Sequence, residues 1–525
     1  MRLVWQRKWH ELSVVHKVTV QEYAFRTAGN GFSTKAKAKK QPSHEEKAPH
    51  DKVQIISCKR KDFNHYMGQT YSKFDIIPLA SKGWHHKKSR LDHFTINAFK
   101  EAPALTKTSG ESFATLGIHQ DLIGVLNKQG ITEPTTVQES AIPSILSGRN
   151  TLIAAETGSG KTLAYLLPLM QQILLWKQSM KDNNFNTPLG LIISPGRELS
   201  QQIATVASSF SKELPFNTQF LTGGHTKRKI LNPTFDDVDL LIGTLGALSK
   251  LTTTGVYRMN QVRHVILDEA DTLLDDSFSE HLQHFLRRFL FQFNTSPEGT
   301  DVYEGVQLTL ASATMPTSLP DALGDIIAPE SLKKVTSGHL HHVLPHVPQK
   351  FVRLGRSQKP AELLKLVKAD VNRKAPVIIF SNKTATCDWV SMFLNENGVK
   401  CINLNGDMSV ELRAGKFSQF QSGVVGVISC TDVGSRGLDT VRAEHVINYD
   451  FPIHMADYIH RCGRTGRVGS SPHCRITNFV SGRQEIQLVQ NIELAVRKMD
   501  SLPNVNANIT KIIRYRILKG MQEAG

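Results

Sequence analysis

The chain has 525 residues, of which 40% are hydrophobic and 21% charged, an ordinary globular composition long enough for three or four units at about 150 residues each. No run approaches the ~20 apolar residues of a membrane span, and the six cysteines (Cys58, Cys387, Cys401, Cys430, Cys462 and Cys474) contain no Cys-x-x-Cys pair, which does not resemble a zinc or disulfide framework and fits a reducing compartment. The formal net charge is +16, concentrated in residues 1–110, where 21 Lys/Arg face 9 Asp/Glu; a polyanion partner, RNA first, fits that balance, and a solubility or targeting role fits the charge alone equally well.

Residues 1–109 read as a basic N-terminal extension without a clear globular pattern. Its first forty residues hold only two acids, Glu11 and Glu22, against Arg2, Arg7, Lys8, Lys17 and Arg26, with Trp5 and Trp9 interspersed. That is the composition of an organelle transit segment, and it lacks the long apolar stretch of a secretory signal. Lys35 to Lys40 fits a solvated linker, an RNA contact or a nuclear address. A second basic cluster runs from His85 to Arg90. From residue 110 short apolar runs alternate with helical stretches: 152–155, 191–194, 238–242, 265–267 and 306–310 are strand candidates. The pattern stops near 330, and the stretch to 348 reads as a linker. It restarts with 377–380, 399–404, 424–429, 445–449 and 476–480. Such alternation predicts an α/β fold: two tandem units, 110–335 and 349–500, each a parallel sheet with helices on both faces. They are joined by a linker at 336–348 and followed by a basic tail at 501–525. Ligands of such sheets sit beyond the carboxyl ends of the strands.

Three stretches carry chemistry. In Ala155-Glu-Thr-Gly-Ser-Gly-Lys-Thr162, between a strand and a helix, Gly158 and Gly160 let the backbone wrap a phosphate, with Glu156, Thr157 and Ser159 completing the loop. Lys161 can reach the outer phosphates and Thr162 suits Mg2+. Ala155 stands where the general pattern has glycine, and the plain alternative is a glycine-rich turn. Val265-Ile-Leu-Asp-Glu-Ala-Asp271 ends a buried strand in adjacent carboxylates. Asp268 is placed for Mg2+ and Glu269 as general base for an attacking water. In His460-Arg-Cys-Gly-Arg-Thr-Gly-Arg467, Arg464 and Arg467 can stabilise charge on a transferred phosphoryl group; a surface patch for RNA backbone is the alternative.

Taken together, these motifs resemble the DEAD-box RNA helicases of superfamily 2, over about residues 110 to 490, with Asp268-Glu-Ala-Asp271 as the signature. The resemblance implies two RecA-like domains that close on ATP, Mg2+ and RNA, and local strand separation. It implies that Gln138 recognises adenine with Phe113 packed upstream, and that Asp439 contacts the ribose. It implies coupling of hydrolysis to unwinding through Ser312, Thr314, His460 and Arg461. For RNA it implies Pro195, Gly196, Arg197, Gly223, Gly224, Thr244, Ser381, Asn382, Arg413 and Thr431. The chain departs from the family at Ile131, Gly196, Ala247, Val410 and Gly434, and the changes at 196, 247 and 410 predict a weaker grip on RNA. Residues 78–84, 92–94 and 101–103, with the basic start, are similar to the vertebrate mitochondrial member associated with large ribosomal subunit assembly. That similarity implies ribosomal RNA and assembly proteins as partners and the mitochondrial matrix as location; a monomer is expected, and the nuclear-address reading of Lys35 to Lys40 would make the nucleus a secondary site. The expected activity is RNA-stimulated ATP hydrolysis with local RNA unwinding; the alternative is an ATP-dependent RNA clamp or assembly factor that unwinds little. A DNA helicase is disfavoured by the complete motif set.

Overall fold

The computed structural model describes residues 53–505 except 73–74, 101–109, 180–184, 224–225, 275, 293–304, 316–318, 320–322, 325, 433–439 and 468. The expectations for Gly224, Gly434, Asp439, the transit segment, Lys35 to Lys40 and the basic tail beyond 505 lie outside the described residues.

The extension is not featureless. Residues 53–100 contain β1 (Gln54–Cys58), β2 (His65–Tyr66) and β3 (His93–Ile96). The first α/β unit follows with β4 (Thr151–Ala154), β5 (Gly190–Ser194), β6 (Thr218–Leu221), β7 (Leu240–Thr244), β8 (His264–Asp268), β9 (Gln307–Ser312) and β10 (Lys333–Thr336). They form one sheet in the order β10-β4-β9-β8-β5-β7-β6, every pairing parallel. The second unit has β11 (Gln349–Arg353), β12 (Val377–Phe380), β13 (Cys401–Leu404), β14 (Val427–Cys430), β15 (His445–Asn448) and β16 (Arg475–Val480). Its sheet has nine strands, β13-β14-β12-β15-β16-β11-β3-β1-β2: six parallel strands, then the three from the extension, added antiparallel.

Alternation along each strand explains why both sheets are covered on both faces. Ile153, Ile192, Ile242 and Ile266 enter one apolar cluster of the first unit, while Leu152, Leu191, Leu241 and Val265 enter another on the opposite face. The second unit repeats this, with Ile378, Phe380, Ile428 and Val446 on one side and Val377, Ile379, Val427 and Ile447 on the other. All ten strand candidates coincide with strands, shifted at most a few residues at their ends. The stretch after about 330, where the strand pattern stops in the sequence, holds β10, which pairs with β4 from Lys333↔Thr151 to Thr336↔Ala154. Only one β10 side chain, Val335, is buried, so its strand pattern is faint in the sequence.

The extension docks through one dense set of contacts. Phe94 lies opposite Phe351 in the β3–β11 ladder, with ring centroids 4.8 Å apart. Trp84 is fully buried and donates from Nε1 to Asp92 Oδ2 at 3.2 Å. The Glu493 carboxylate, on the helix Arg483–Lys498, accepts from Ala80 N (2.8 Å), Ser81 N (3.0 Å) and Ser81 Oγ (2.6 Å) and pairs with Arg497 at 2.8 Å. Both charged side chains are fully buried. At the foot of this module Phe99 N and Lys100 N donate to Pro345 O at 2.9 and 3.2 Å. The whole first unit therefore falls, in sequence, between two neighbouring strands of the second sheet.

Candidate functional site

The carboxyl ends of β4, β8 and β9 bring the phosphate-loop sequence, the paired acids and the Ser312-Ala-Thr314 triplet together. The loop after β4 turns through Gly158 and Gly160, at φ +84 and +87, a region that L side chains rarely adopt, before the helix Lys161–Ser179 begins. Gln138 braces this loop from the side. Its Nε2 donates to Gly160 O at 3.0 Å, and its Oε1 accepts from Thr135 N at 2.9 Å in a capping box that starts the helix Thr136–Leu146. Thr135 Oγ1 donates to Ser159 O at 2.9 Å. Lys161 Nζ donates to Ala155 O and Glu156 O at 2.7 and 2.8 Å. Burial lowers its pKa, opposed by the Asp268 carboxylate. The backbone amides at this helix start and the adjacent ammonium form a cradle suited to a polyphosphate.

Asp268, at the end of β8, is buried and accepts from Tyr165 Oη at 2.8 Å. Burial, then the neighbouring Glu269, pushes its carboxyl up to about 6. A divalent cation at this carboxylate would relieve both effects, so the donor set of Asp268 with the nearby Thr162 hydroxyl fits Mg2+. Glu269 sits in the left-handed region at φ 49, ψ 51 and caps the short helix Ala270–Leu273. Its Oε1 lies 3.9 Å from Arg464 Nη2 of the second unit.

Asp271 is the joint between the units. Its Oδ2 accepts from Thr314 N (3.1 Å) and Thr314 Oγ1 (2.8 Å), and His460 Nε2 approaches the same oxygen at 3.6 Å. Ser312 Oγ donates to Thr314 O at 2.5 Å. Burial would raise the Asp271 carboxyl, but His460, Thr314 and Ser312 outweigh it and hold it far below the usual range. Burial would lower His460, but its bond to Asp271 holds it above the ordinary histidine range. The Asp271 carboxylate thus faces the His460 imidazole across the two units.

Between them lies a cleft of about 490 Å³ lined by Ile131, Gln138, the loop from Thr157, Asp268, Glu269, His460, Arg464 and Arg467. The fit is close. A Cβ at Gly158 would come within 2.9 Å of Arg467 Cγ, and a Cβ at Gly463 has no room against Thr157. A Gly463→Val variant is expected to hold the units apart, lowering RNA-stimulated kcat at least ~10-fold through misplacement of Arg464. Steady-state ATPase beside nucleotide binding checks this; unchanged kcat would mean the close approach is not used in turnover.

Other sequence candidates are placed differently. Phe113 is buried in the apolar cluster below the helix Gln120–Lys128 and does not line the cleft. Arg461 does not reach the first unit's acids. It is buried and bidentate to Asp432 at 2.6 and 2.6 Å, with further bonds to Asn382 Oδ1 (2.6 Å) and Asp450 O (2.7 Å), so it organises the second unit from within. Ser381, read as an RNA contact, is fully buried after β12 with its Oγ unpartnered, so it offers a ligand no surface in this arrangement. The Asn382 side-chain amide is spent on Arg461 and Phe451 O.

On the first unit Pro195, Gly196, Gly223 and Thr244 follow or end β5, β6 and β7 at the same edge, partly exposed. Gly196 caps the helix Arg197–Ser211 without a side-chain bond, and the Arg197 guanidinium lies over Gly223, where a Cβ would sit 2.8 Å from Nη2. Ala247 is buried. Thr431 is largely buried, its N donating to Leu404 O at 3.2 Å. Arg413 is also mostly buried, and its Nε meets Glu198 Oε1 of the first unit at 2.6 Å. Glu198, Tyr165 and Gly463 were missed as contributors. Tyr165 lies one helical turn after Lys161, a spacing that signals the same face; the Glu198–Arg413 pairing leaves no local trace.

The comparisons with known proteins give the family and the fold. The DEAD/DEAH box helicase domain pattern matches residues 135–322, and the helicase conserved C-terminal domain pattern matches 358–469. A Homo sapiens protein described as probable ATP-dependent RNA helicase DDX28 is 38% identical over 466 residues, covering 87% of this chain and 86% of that one. The solved structure of S. cerevisiae Dbp5 bound to RNA and ADP BeF3 is similar in fold, with TM-score 0.63 at 22% identity, covering 74% of this chain and 94% of that one. Mss116 bound to ssRNA and UDP-BeF is similar at TM-score 0.63 and 20% identity, covering 75% and 79%.

Proposed function

The chain belongs to the DEAD-box family of ATP-dependent RNA helicases, and from that premise we propose that it remodels ribosomal RNA during assembly of the mitochondrial large ribosomal subunit. In this reading Gln138 and the loop from Ala155 to Thr162 hold ATP, with Asp439 at its ribose. Thr162 and Asp268 hold Mg2+, which would supply positive charge to the phosphates. Glu269 orients and deprotonates the attacking water, and Arg464 and Arg467 stabilise the transferred phosphoryl group. RNA backbone lies across Pro195, Gly196, Arg197, Gly223, Gly224, Thr244 and Thr431, and Ser312, Thr314 and His460 report the state of the nucleotide to that surface.

The observation that carries the reading is the convergence of His460 on Asp271 and Arg464 on Glu269, which makes one catalytic centre out of two units. The acid-poor basic start supports the mitochondrial assignment. Strand displacement of a short RNA duplex, with and without ATP, tests the remodelling. Displacement that needs ATP supports it. ATP-dependent RNA retention without displacement would favour the clamp, the reading to which Gly196 and the buried Ala247 point. Deleting residues 1–40 is expected to leave ATPase intact and abolish mitochondrial import and co-sedimentation with large-subunit particles; unchanged import would refute the matrix assignment.

A further inference from the structure

The module formed by residues 53–100 carries 9 Lys/Arg against 3 Asp. One of those acids, Asp92, is buried and paired with Arg60 at 3.2 Å. The fold does not scatter the cations. β1 is antiparallel to β3 and β3 antiparallel to β11, so β1 runs with β11 and with the parallel strands beyond it. The end of β1, the start of β3 and the end of β11 thus share the carboxyl edge of the second sheet, the edge from which Thr431 also emerges. Hydrogen bonds close this corner: Lys59 N donates to His93 O at 3.0 Å and Leu91 N to Arg353 O at 2.7 Å. Lys59, Lys61, Lys87, Lys88, Arg90 and Arg356 are all exposed around it, on turns rather than long helices. Arg90 lies against Gly355, and Lys59 Nζ caps Leu91 O at 3.3 Å.

We propose that this corner is a second RNA-binding surface, which holds the phosphate backbone of single-stranded RNA outside the cleft shared by the two units. The inference rests on the RNA-remodelling reading and adds a named surface to it. Phosphate is the ligand that several exposed cations on one edge recognise without any pocket for bases, and such contacts are sequence-blind and salt-dependent. The position favours RNA over other polyanions, because the corner shares its carboxyl edge with Thr431, four strands along from β14 to β11, so an RNA strand followed along that edge reaches it after about 20 Å. The surface also supplies positive charge to a chain in which Ala247 of the first unit is buried and Arg413 of the second is already paired with Glu198. Docking through Trp84 O, which accepts from Arg353 Nε at 2.9 Å, and through Glu493, which accepts from Ala80 N and Ser81 Oγ, fixes the cations relative to the second unit, so they act as part of it rather than as a loose tail.

The test uses the full chain with Lys61→Gln, Lys87→Gln and Lys88→Gln combined. A control carries Lys365→Gln, Lys368→Gln and Arg373→Gln, exposed cations in or just after the helix Lys359–Asn372, which leads into β12 at the opposite edge. Binding of a labelled unstructured RNA, with a non-hydrolysable ATP analogue, is titrated at several salt concentrations. The triple variant is expected to lose ~10-fold or more in affinity, and its log K against log salt slope should flatten by about 2, from ~0.7 per single-strand phosphate contact. ATPase kcat at saturating RNA should not change. Affinity and slope equal to wild type, or equal to the control, would overturn the surface. RNA-stimulated turnover of the wild type separates the two readings: if stimulation is absent but the slope still flattens, the surface stands and the helicase mechanism falls. If stimulation is present and the slope does not move, the reverse holds.

Discussion

A Glu269→Gln variant is expected to bind ATP and RNA and to turn ATP over at least about 100-fold more slowly than wild type, the usual contribution of a positioned general base. The substitution keeps the shape of a side chain held in the left-handed region at the end of β8 and removes only its basicity and charge. Because Arg464 lies 3.9 Å from this carboxylate, the variant also loses one attraction across the cleft. Its RNA affinity in the presence of ATP is still expected to hold, since the Asp271–His460 contact and the Glu198–Arg413 pair remain. Single-turnover hydrolysis beside filter binding of RNA separates these effects. Hydrolysis within a few-fold of wild type would remove Glu269 from the chemical step.

The second large effect is on stability. Glu493→Ala leaves Arg497 buried without its counter-charge and strips three donors of the extension, Ala80 N, Ser81 N and Ser81 Oγ, of their acceptor. Breaking a buried pair from one side costs about 3–5 kcal/mol. Urea denaturation of the full chain, followed through tryptophan emission that includes the buried Trp84, should show the transition of the second unit moving to lower denaturant. An unmoved midpoint would mean that the extension is not integral to that unit.

The parts of this fold that could be read in advance share one property: their signal is local. The ten central strands are short continuous apolar runs because both faces of each sheet are covered, and the loop at 155–162 and the acids at 268–271 are compact motifs at strand ends. β1 and β3 escaped because only two residues of each are buried, Ile55 and Ile56 in β1 and Phe94 and Ile96 in β3, and exposed lysines flank them. Glu493 and Arg497 look like an exposed i,i+4 pair on a helix; only the docked extension makes them buried. Ser381 and Arg461 belong to recognisable motifs, but which way a side chain points after a strand depends on neighbours far along the chain. The pairing of Arg413 with Glu198 spans 215 residues and two units, beyond any pattern of spacing.

Glu269 and Asp271 of the first unit face Arg464 and His460 of the second, and the proposed function makes of them one ATPase centre across two units that RNA would bridge. The most direct test is the steady-state ATPase rate of the full chain with and without saturating single-stranded RNA. Turnover that RNA raises ~10-fold or more, and that Gly463→Val loses while ATP still binds, is the predicted result. Turnover indifferent to RNA would contradict it, leaving an ATPase whose two units do not need RNA to come together.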